Sequence, residues 1–187
     1  MDTPSSWVRR WAPLVPPGEV LDLACGSGRH ARLLAALGHP VLALDRDPQA
    51  LAAAAGPGIR TMEYDLEAQG AAWPFEAGRF AGIVVTNYLH RPLMRSLTAS
   101  LAPGGVLIYE TFAVGNEVFG KPSNPLFLLS AGELPEHARE GGLRVIAFED
   151  GVTEEPKPAR VQRLCAAGPA YAWSDAKLDH LSQRKQP

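Results

Sequence analysis

The chain has 187 residues, 46% of them hydrophobic and 20% charged, with a formal net charge of −2. That length suits one domain able to bury a substantial core, and the composition is that of an ordinary globular protein. Lysine and arginine are scattered, so no electrostatic footprint for nucleic acid is present, which argues against nucleic acid as a partner. Cys25 and Cys165 lie far apart without CxxC spacing, which fits a reducing compartment; the cytoplasm is the expected location. No apolar run approaches the roughly 18 residues that span a bilayer, and the N-terminus lacks a secretory apolar segment, so no membrane association is expected.

In chain order, residues 5–12 carry Trp7 and Trp11 four apart, a short amphipathic helix capped by Ser5 or Ser6. Pro13, Pro16, Pro17 and Gly18 close this N-terminal helical segment, residues 1–17. Its tryptophans either pack against the domain or lie over a ligand cleft. Residues 20–24 predict a buried strand and 29–37 a helix, with Gly38 at its cap. A second strand, 41–44, closes on Asp45. Pro48 opens a helix that runs to Ala55 and stops at Gly56-Pro57-Gly58. Residues 59–63 form a third strand closing on Asp65, and 80–86 a fourth, nearly all apolar. A helix over 91–101, a Pro103-Gly104-Gly105 turn and a fifth strand over 106–111 follow.

Residues 113–129 are irregular and rich in glycine and proline, and long loops inside compact domains are often functional. Ser130 caps a helix reaching about Glu140. Residues 143–148 and 160–166 predict two last strands, antiparallel across the polar GVTEEPKP turn. A polar tail occupies 174–187. Apolar strands alternating with helices indicate an α/β domain, here spanning 1–187, whose parallel sheet is buried on both faces.

The richest stretch is residues 21–31, LDLACGSGRHA, an apolar strand leading through glycines into a helix. Gly26 and Gly28 allow a tight turn and close backbone approach to a ligand, and the free N–H groups of the helix start face that ligand. Gly26-x-Gly28-x-x-Ala31 also satisfies a loose dinucleotide fingerprint. Asp22 separates the two readings. A carboxylate beside the loop repels a pyrophosphate and attracts an ammonium or sulfonium.

Ligands of open parallel sheets bind outside the carboxyl ends of the strands. Asp22, Asp45 and Asp65 fall at or just past three successive strand ends. Asp45 is placed to take both ribose hydroxyls, each charge-assisted bond being worth about 1.5–3 kcal/mol. Asp65 is placed to accept from the adenine amine while the Leu66 N–H meets the ring. The competing reading is that strand-end acids cap the next helix, with Asp47 a rival to Asp45.

These residues resemble the class I S-adenosylmethionine-dependent methyltransferase family. The resemblance rests on Asp22-x-Ala24-Cys25-Gly26-Ser27-Gly28, Asp45, Asp65-Leu66 and the Leu101-Ala102-Pro103-Gly104-Gly105 turn, and covers about residues 18–112. Within the class, GSGRHARLLAALGHPVLALDRDPQAL is similar to small tellurite-resistance-type and thiol-type methyltransferases, with Arg29 following the glycine loop. The resemblance implies a doubly wound, Rossmann-like sheet of seven strands in the order 3-2-1-4-5-7-6, the last strand antiparallel. It implies S-adenosyl-L-methionine as cofactor and S-adenosyl-L-homocysteine as product. Asp22 and the loop Ala24, Cys25, Gly26, Ser27, Gly28 and Arg29 would hold the methionine part. Asp45, with Arg46 beside it, would take the ribose, Asp65 and Leu66 the adenine, and Asn87 would stand by the sulfonium. One departure is the stretch between Leu66 and Phe80, which shows no helix pattern. Its crossover is expected to be abbreviated, with Trp73 and Phe75 either plugging the core or stacking near adenine.

Methyl transfer from a sulfonium is a direct displacement, in which alignment alone supplies about 7–11 kcal/mol. A general base is needed only where the acceptor is protonated at working pH. Asn87 is followed by Tyr88-Leu89, not by the Pro-Pro-Tyr of amino-directed nucleic-acid methyltransferases, which argues against base-amine methylation. Tyr88, His90 and Glu110 are the candidate catalytic residues. Tyr88 is suited to orient an acceptor, His90 to accept a proton or make a helix-start hydrogen bond, and Arg91 to bind an anion. Glu110 is either a second acid facing the site or a cap for the next loop. His30, His39, His137 and His180 have no metal-ligand spacing, so no metal is expected. Residues 113–129 are the candidate acceptor-side lid. Phe112, Phe119 and Phe127 either wall a cavity, with Asn116, Lys121 and Asn124 giving direction, or anchor the loop to the core. With so little extra chain, a small-molecule acceptor is favoured over RNA or protein, and a monomer or weak dimer is expected. The alternatives are a non-catalytic S-adenosylmethionine-binding protein and, further off, a NAD-linked oxidoreductase.

Overall fold

In the computed structural model, which describes residues 3–176, seven strands form one sheet in the order β3-β2-β1-β4-β5-β7-β6. The strands are β1 (Val20–Leu23), β2 (Val41–Asp45), β3 (Ile59–Glu63), β4 (Phe80–Thr86), β5 (Leu101–Phe112), β6 (Arg144–Thr153) and β7 (Ala159–Ala167). The first five pair in parallel, whereas β7 runs antiparallel to both β5 and β6. This is the expected strand order, with its antiparallel end. The central strands β1 and β4 are buried along their whole length, as continuous apolar runs require when helices cover both faces.

Alternation along each strand sends side chains into two cores. One holds Leu21, Leu23, Ile83, Leu107, Tyr109 and Leu164. The other holds Val20, Val84, Val106, Ile108 and Cys165, under α1 (Ser6–Trp11), α2 (Arg29–Ala36) and α3 (Pro48–Ala54). Trp7 and Trp11 belong to this second core, edge to face with centroids 5.5 Å apart, and the Trp7 indole donates to the Leu164 carbonyl. Packing, not cleft cover, is their role. Ser5 is the cap, its hydroxyl accepting from Trp7 N.

The crossover from β3 to β4 contains no helix. In its place Trp73, Phe75 and Phe80 form an edge-to-face chain, with centroids 5.3 and 5.0 Å apart, and the Trp73 indole donates to Ser100 Oγ. Both aromatic residues are plugs.

Several boundaries differ from the sequence expectation. β1 stops at Leu23 because Ala24 turns left-handed. The segment expected as one helix over 91–101 splits into a 3-10 turn, Arg91–Leu93, and α4 (Met94–Ala99). The expected Pro103-Gly104-Gly105 turn lies inside β5 as a bulge, since Phe80 pairs with Leu101 while Gly82 pairs with Val106. Ser130 does not cap α5 (Glu133–Glu140) with its side chain; left-handed Gly132 starts that helix. Gly151, Val152 and Thr153 of GVTEEPKP are taken into the β6–β7 ladder, because alternate polar side chains on an outer strand can face solvent. Most of the 174–187 tail lies outside the described residues.

Candidate cofactor and acceptor site

Among the described residues, two other than glycine adopt left-handed backbone, Ala24 (φ 53°) at the end of β1 and Asn87 (φ 55°) at the end of β4. Such conformations cost on the order of 1 kcal/mol or more and persist where surrounding structure enforces them, often at functional sites. Here they turn the chain outward at the carboxyl ends of β1 and β4, which pair side by side within the sheet. The Asn87 N–H bonds the Glu110 carbonyl, tying that turn to β5.

The two loop glycines divide the work. Gly26 (φ 53°) has open space where a Cβ would stand, so its backbone is approachable. Gly28 (φ 78°) is packed: a Cβ there would lie 2.5 Å from Ala54 Cβ and 2.7 Å from Ala54 Cα. Close contact between α2 and α3, not ligand approach, demands Gly28. Arg32 ties the same elements together by donating to the Ser27 and Ala53 carbonyls.

Asp45 braces the loop. One carboxylate oxygen accepts from Gly26 N at 2.8 Å and the other from Asp47 N at 3.0 Å. Each oxygen keeps lone-pair capacity for a further donor. Asp47 caps α3 by accepting from Gln49 N, so capping falls to Asp47 and leaves Asp45 to the loop.

Asp22 is 1% exposed, and its Oδ2 has no hydrogen-bond partner among the described residues. Burial pushes its carboxyl up to about 8, against a lowering by the Ala31 backbone and the charges of Arg29 and Arg32. A buried acid with a spare oxygen is prepared for a cation, which restores the charge that burial suppresses. Because the folded value is raised, the native state binds the extra proton between about pH 4 and pH 8. Stability from this group is therefore full at low pH and lost as pH rises through that window. Asp22→Asn is accordingly expected to gain stability relative to the parent chain as pH goes from 5 to 8 in denaturant titrations. A pH-independent difference would contradict the buried acid.

These elements frame a cavity of about 220 Å³ lined by Ala24, Leu44, Asp45, Arg46, Tyr64, Asp65, Leu66, Glu67 and Tyr88. Six of the sequence-derived site residues thus meet in one place. Cys25, Gly26, Ser27, Gly28 and Arg29 form the adjoining loop, while Asp22 lies buried beneath it. Cys25 is buried, with burial raising its thiol, so only its backbone is available chemically. Asp65 also accepts from Glu67 N at 2.9 Å, a turn contact that leaves its second oxygen open.

Tyr64 and Glu67 are additions the sequence reading missed. Tyr64 follows β3 directly, its N–H bonded to the Asp45 carbonyl and its hydroxyl to the Ala72 carbonyl. Glu67 lies two residues past Asp65, near enough to Tyr88 for its charge to act on the phenol and 3.9 Å from His90 Nδ1. Burial, with Glu67 second, holds the Tyr88 proton on, so Tyr88 is a donor and a wall, not a base.

Two residues are committed elsewhere. Glu110 pairs with Arg163 at 2.7 Å, too bent for a good hydrogen bond but close in charge, and Arg163 also reaches Glu149. Arg91 grips Glu133 through two contacts of 2.6 and 2.9 Å and donates to the Leu126 and Leu128 carbonyls. Its guanidinium pins the 113–129 loop and is not free for an acceptor anion. Asn116, 1% exposed, bonds the Pro122 carbonyl and Arg160 N, and Asn124 caps a 3-10 turn, so both are structural. Phe119 and Phe127 are exposed, so they neither wall a cavity nor anchor the loop. Arg91→Ala is expected to cost about 1–3 kcal/mol, since two loop carbonyls lose their donor and Glu133 keeps only Ser130 N and His137. Hydrogen exchange should show residues 113–129 opening with it; unchanged protection there would contradict the clasp.

His30 is used structurally. Ser5 N donates to its Nε2 at 3.1 Å, which makes Nε2 the acceptor and leaves Nδ1 to Thr86 Oγ1 at 3.4 Å. Burial, with the Arg29 charge, pushes it down to about 3, so it stays neutral and ties α1 to the glycine-loop helix. Among the described residues no cluster of three or more metal-ligating side chains occurs. None of their helices is long and apolar enough to cross a membrane.

Residues 20–105 match a family described as "Methyltransferase domain". The sheet order and the folds of solved methyltransferases agree with that match. Residues 20–105 thus fall in the methyltransferase-domain family, and the chain has the fold of S-adenosylmethionine-dependent methyltransferases. It is 35% identical over 134 residues to a trans-aconitate 2-methyltransferase of Methylobacterium nodulans, covering 68% of this chain and 49% of the relative. The chain spans about half the length of the curated relatives it matches. An S-adenosylmethionine-dependent methyltransferase structure from Mesorhizobium loti shares the fold, with a TM-score of 0.67 and 19% identity, over 87% of this chain and 98% of that one. TehB from Haemophilus influenzae does so with a TM-score of 0.68 and 19% identity, over 86% and 61%.

S-adenosylmethionine fits the methyltransferase site. The orphaned buried oxygen of Asp22 suits its ammonium, open Gly26 lets the backbone approach, and the cavity offers paired acids at β2 and β3.

Proposed function

We propose that the chain transfers a methyl group from S-adenosylmethionine to a small-molecule acceptor. The observation that carries this reading is the cavity at the strand ends, where Asp45, Asp65, Leu66 and Tyr88 converge beside a glycine loop braced by Asp45. When bound, the cofactor supplies an electrophilic methyl on a sulfonium, ready for direct displacement. In this reading Asp22 and the loop from Ala24 to Arg29 hold the methionine part. Asp45, with Arg46 beside it, takes the ribose, and Asp65 with Leu66 takes adenine.

Asn87 turns the backbone at the transfer point, and Tyr88 walls it. His90, with its side chain about a quarter exposed, is available to take a proton from the acceptor. Glu110 is left out, because Arg163 occupies its carboxylate. A small acceptor is supported by the trans-aconitate methyltransferase among the relatives. Within this reading residues 1–187 act as one domain in the cytoplasm. Incubation with methyl-labelled donor and a panel of thiols, amines, carboxylates, chalcogen oxyanions and small RNAs tests it. Turnover confined to small molecules is expected, and turnover confined to RNA or protein overturns it.

A further inference from the structure

We propose that two copies of this chain pair edge to edge through β6, which carries the sheet across a two-fold axis. The two outer strands of the sheet are built differently. β3 is five residues long, exposes Arg60, Thr61 and Glu63, and carries no exposed large apolar side chain. Short and charged, it is a blunted edge. β6 is ten residues long, contains neither lysine nor proline, and exposes Val145, Phe148 and Val152. Its bulge is confined to residues 145–147, so residues 147–153 pair regularly with β7. On their other side, alternate N–H and C=O groups point away from the sheet as a template for a further strand.

The acids of β6 do not guard this edge. Glu149 faces Arg163 at 3.4 Å and Arg10 at 3.9 Å, while Asp150 is held by Arg160 and, at 3.3 Å, by the Gln162 amide. Each carboxylate is met by a guanidinium of its own chain.

The exposed apolar surface is concentrated on the same side of the molecule. Among the described residues nine large apolar side chains are exposed, and eight of them lie in β6 or in residues 113–129. The two segments adjoin: Asn116 accepts from Arg160 N at 3.1 Å, and Arg160 stands opposite Val152 in the ladder. Arg91 and Asn116 take three carbonyls of the loop, whereas Val118 and Leu126 are 77% and 71% exposed. Eight such side chains expose several hundred Å², on the order of the ~800 Å² that each partner buries in a standard interface.

A second copy fits this edge because the edge complements itself. Phe148 stands opposite Leu164 of the first core, and alternation puts Asp150 and Val152 on the same face as Phe148. With β6 antiparallel to its mate and Asp150 at the axis, Phe148 of each copy lies opposite Val152 of the other. That apolar cross-strand pair is made twice, as an isologous contact requires. The two Asp150 carboxylates meet at the axis, each with its own Arg160 guanidinium, so charges of alternate sign come together. Glu149 falls opposite Gly151, which leaves room for its side chain.

Sedimentation equilibrium and hydrogen exchange on the intact chain test this. A dimer is expected at micromolar concentration, with alternate amides between Ala147 and Thr153 exchanging more slowly as concentration rises. Val152→Lys puts a charge on the seam and is expected to raise the dimer dissociation constant about a hundredfold, because a two-fold interface loses the contact twice. Leu37, the ninth exposed apolar residue, lies outside both segments, and Leu37→Lys is expected to leave the constant unchanged. A monomeric parent chain, a dimer whose β6 amides exchange independently of concentration, or a dimer that survives Val152→Lys overturns the proposal. The parent-chain exchange measurement decides even if Val152→Lys does not fold.

Discussion

Asp45→Ala is expected to weaken S-adenosylhomocysteine binding by about 3 kcal/mol, more than a hundredfold. Two charge-assisted hydrogen bonds to ribose hydroxyls are each worth about 1.5–3 kcal/mol, and some of that is recovered by water in the variant. The carboxylate has a second duty that adds to the loss. It holds the Gly26 N–H at 2.8 Å and the Asp47 N–H at 3.0 Å, so its removal frees the loop that must stay ordered to receive the ligand. Asp45→Asn separates these duties, because one amide oxygen can serve a single cluster of donors while the amide NH2 repels the other backbone N–H. Asn is therefore expected to retain less than half of the lost binding energy. Unchanged affinity in Asp45→Ala would place the ribose elsewhere.

Gly28→Ala is expected to destabilise the fold by about 3 kcal/mol or more. The left-handed backbone at φ 78° costs an alanine on the order of 1 kcal/mol. The larger part is steric, for a Cβ 2.7 Å from Ala54 Cα meets main chain and forces α2 away from α3. Gly26→Ala is the contrast. It has the same backbone penalty but open space around the new methyl, so about 1 kcal/mol of stability is lost and the remaining effect falls on ligand affinity. Chemical denaturation of both variants measures this. Equal destabilisation would show that the two glycines do not divide packing and approach as described.

Strand order and the antiparallel end were legible because apolar runs of strand length and helical periodicity are local signals, and because the motif carried a known topology with it. Asp22, Asp45 and Asp65, at or near the ends of β1, β2 and β3, were legible for the same reason: a strand end fixes where nearby side chains emerge. What stayed hidden depends on distant pairing. Nothing near Arg91 announces that Glu133 and two carbonyls of the 113–129 loop will consume its donors. Nothing near Glu110 announces Arg163, which reaches it across the antiparallel β5–β7 register. Glu67 was readable in principle, since an acid two residues beyond Asp65 lies at the same rim. Its contact with Tyr88 depends on β1 lying between β2 and β4, with β3 beyond, a relation that spans three strand pairings. Gly28 looked like a ligand-contact glycine because Ala54, which actually requires it, is 26 positions away in sequence.

LDLACGSGRHA and the acids that follow are expected to hold S-adenosylmethionine rather than a dinucleotide. Calorimetric titration of the intact chain with S-adenosylhomocysteine and, separately, with NAD addresses it directly. The expected result is one-site binding of S-adenosylhomocysteine, lost in Asp45→Ala, with no heat from NAD. Binding of NAD without S-adenosylhomocysteine would contradict it.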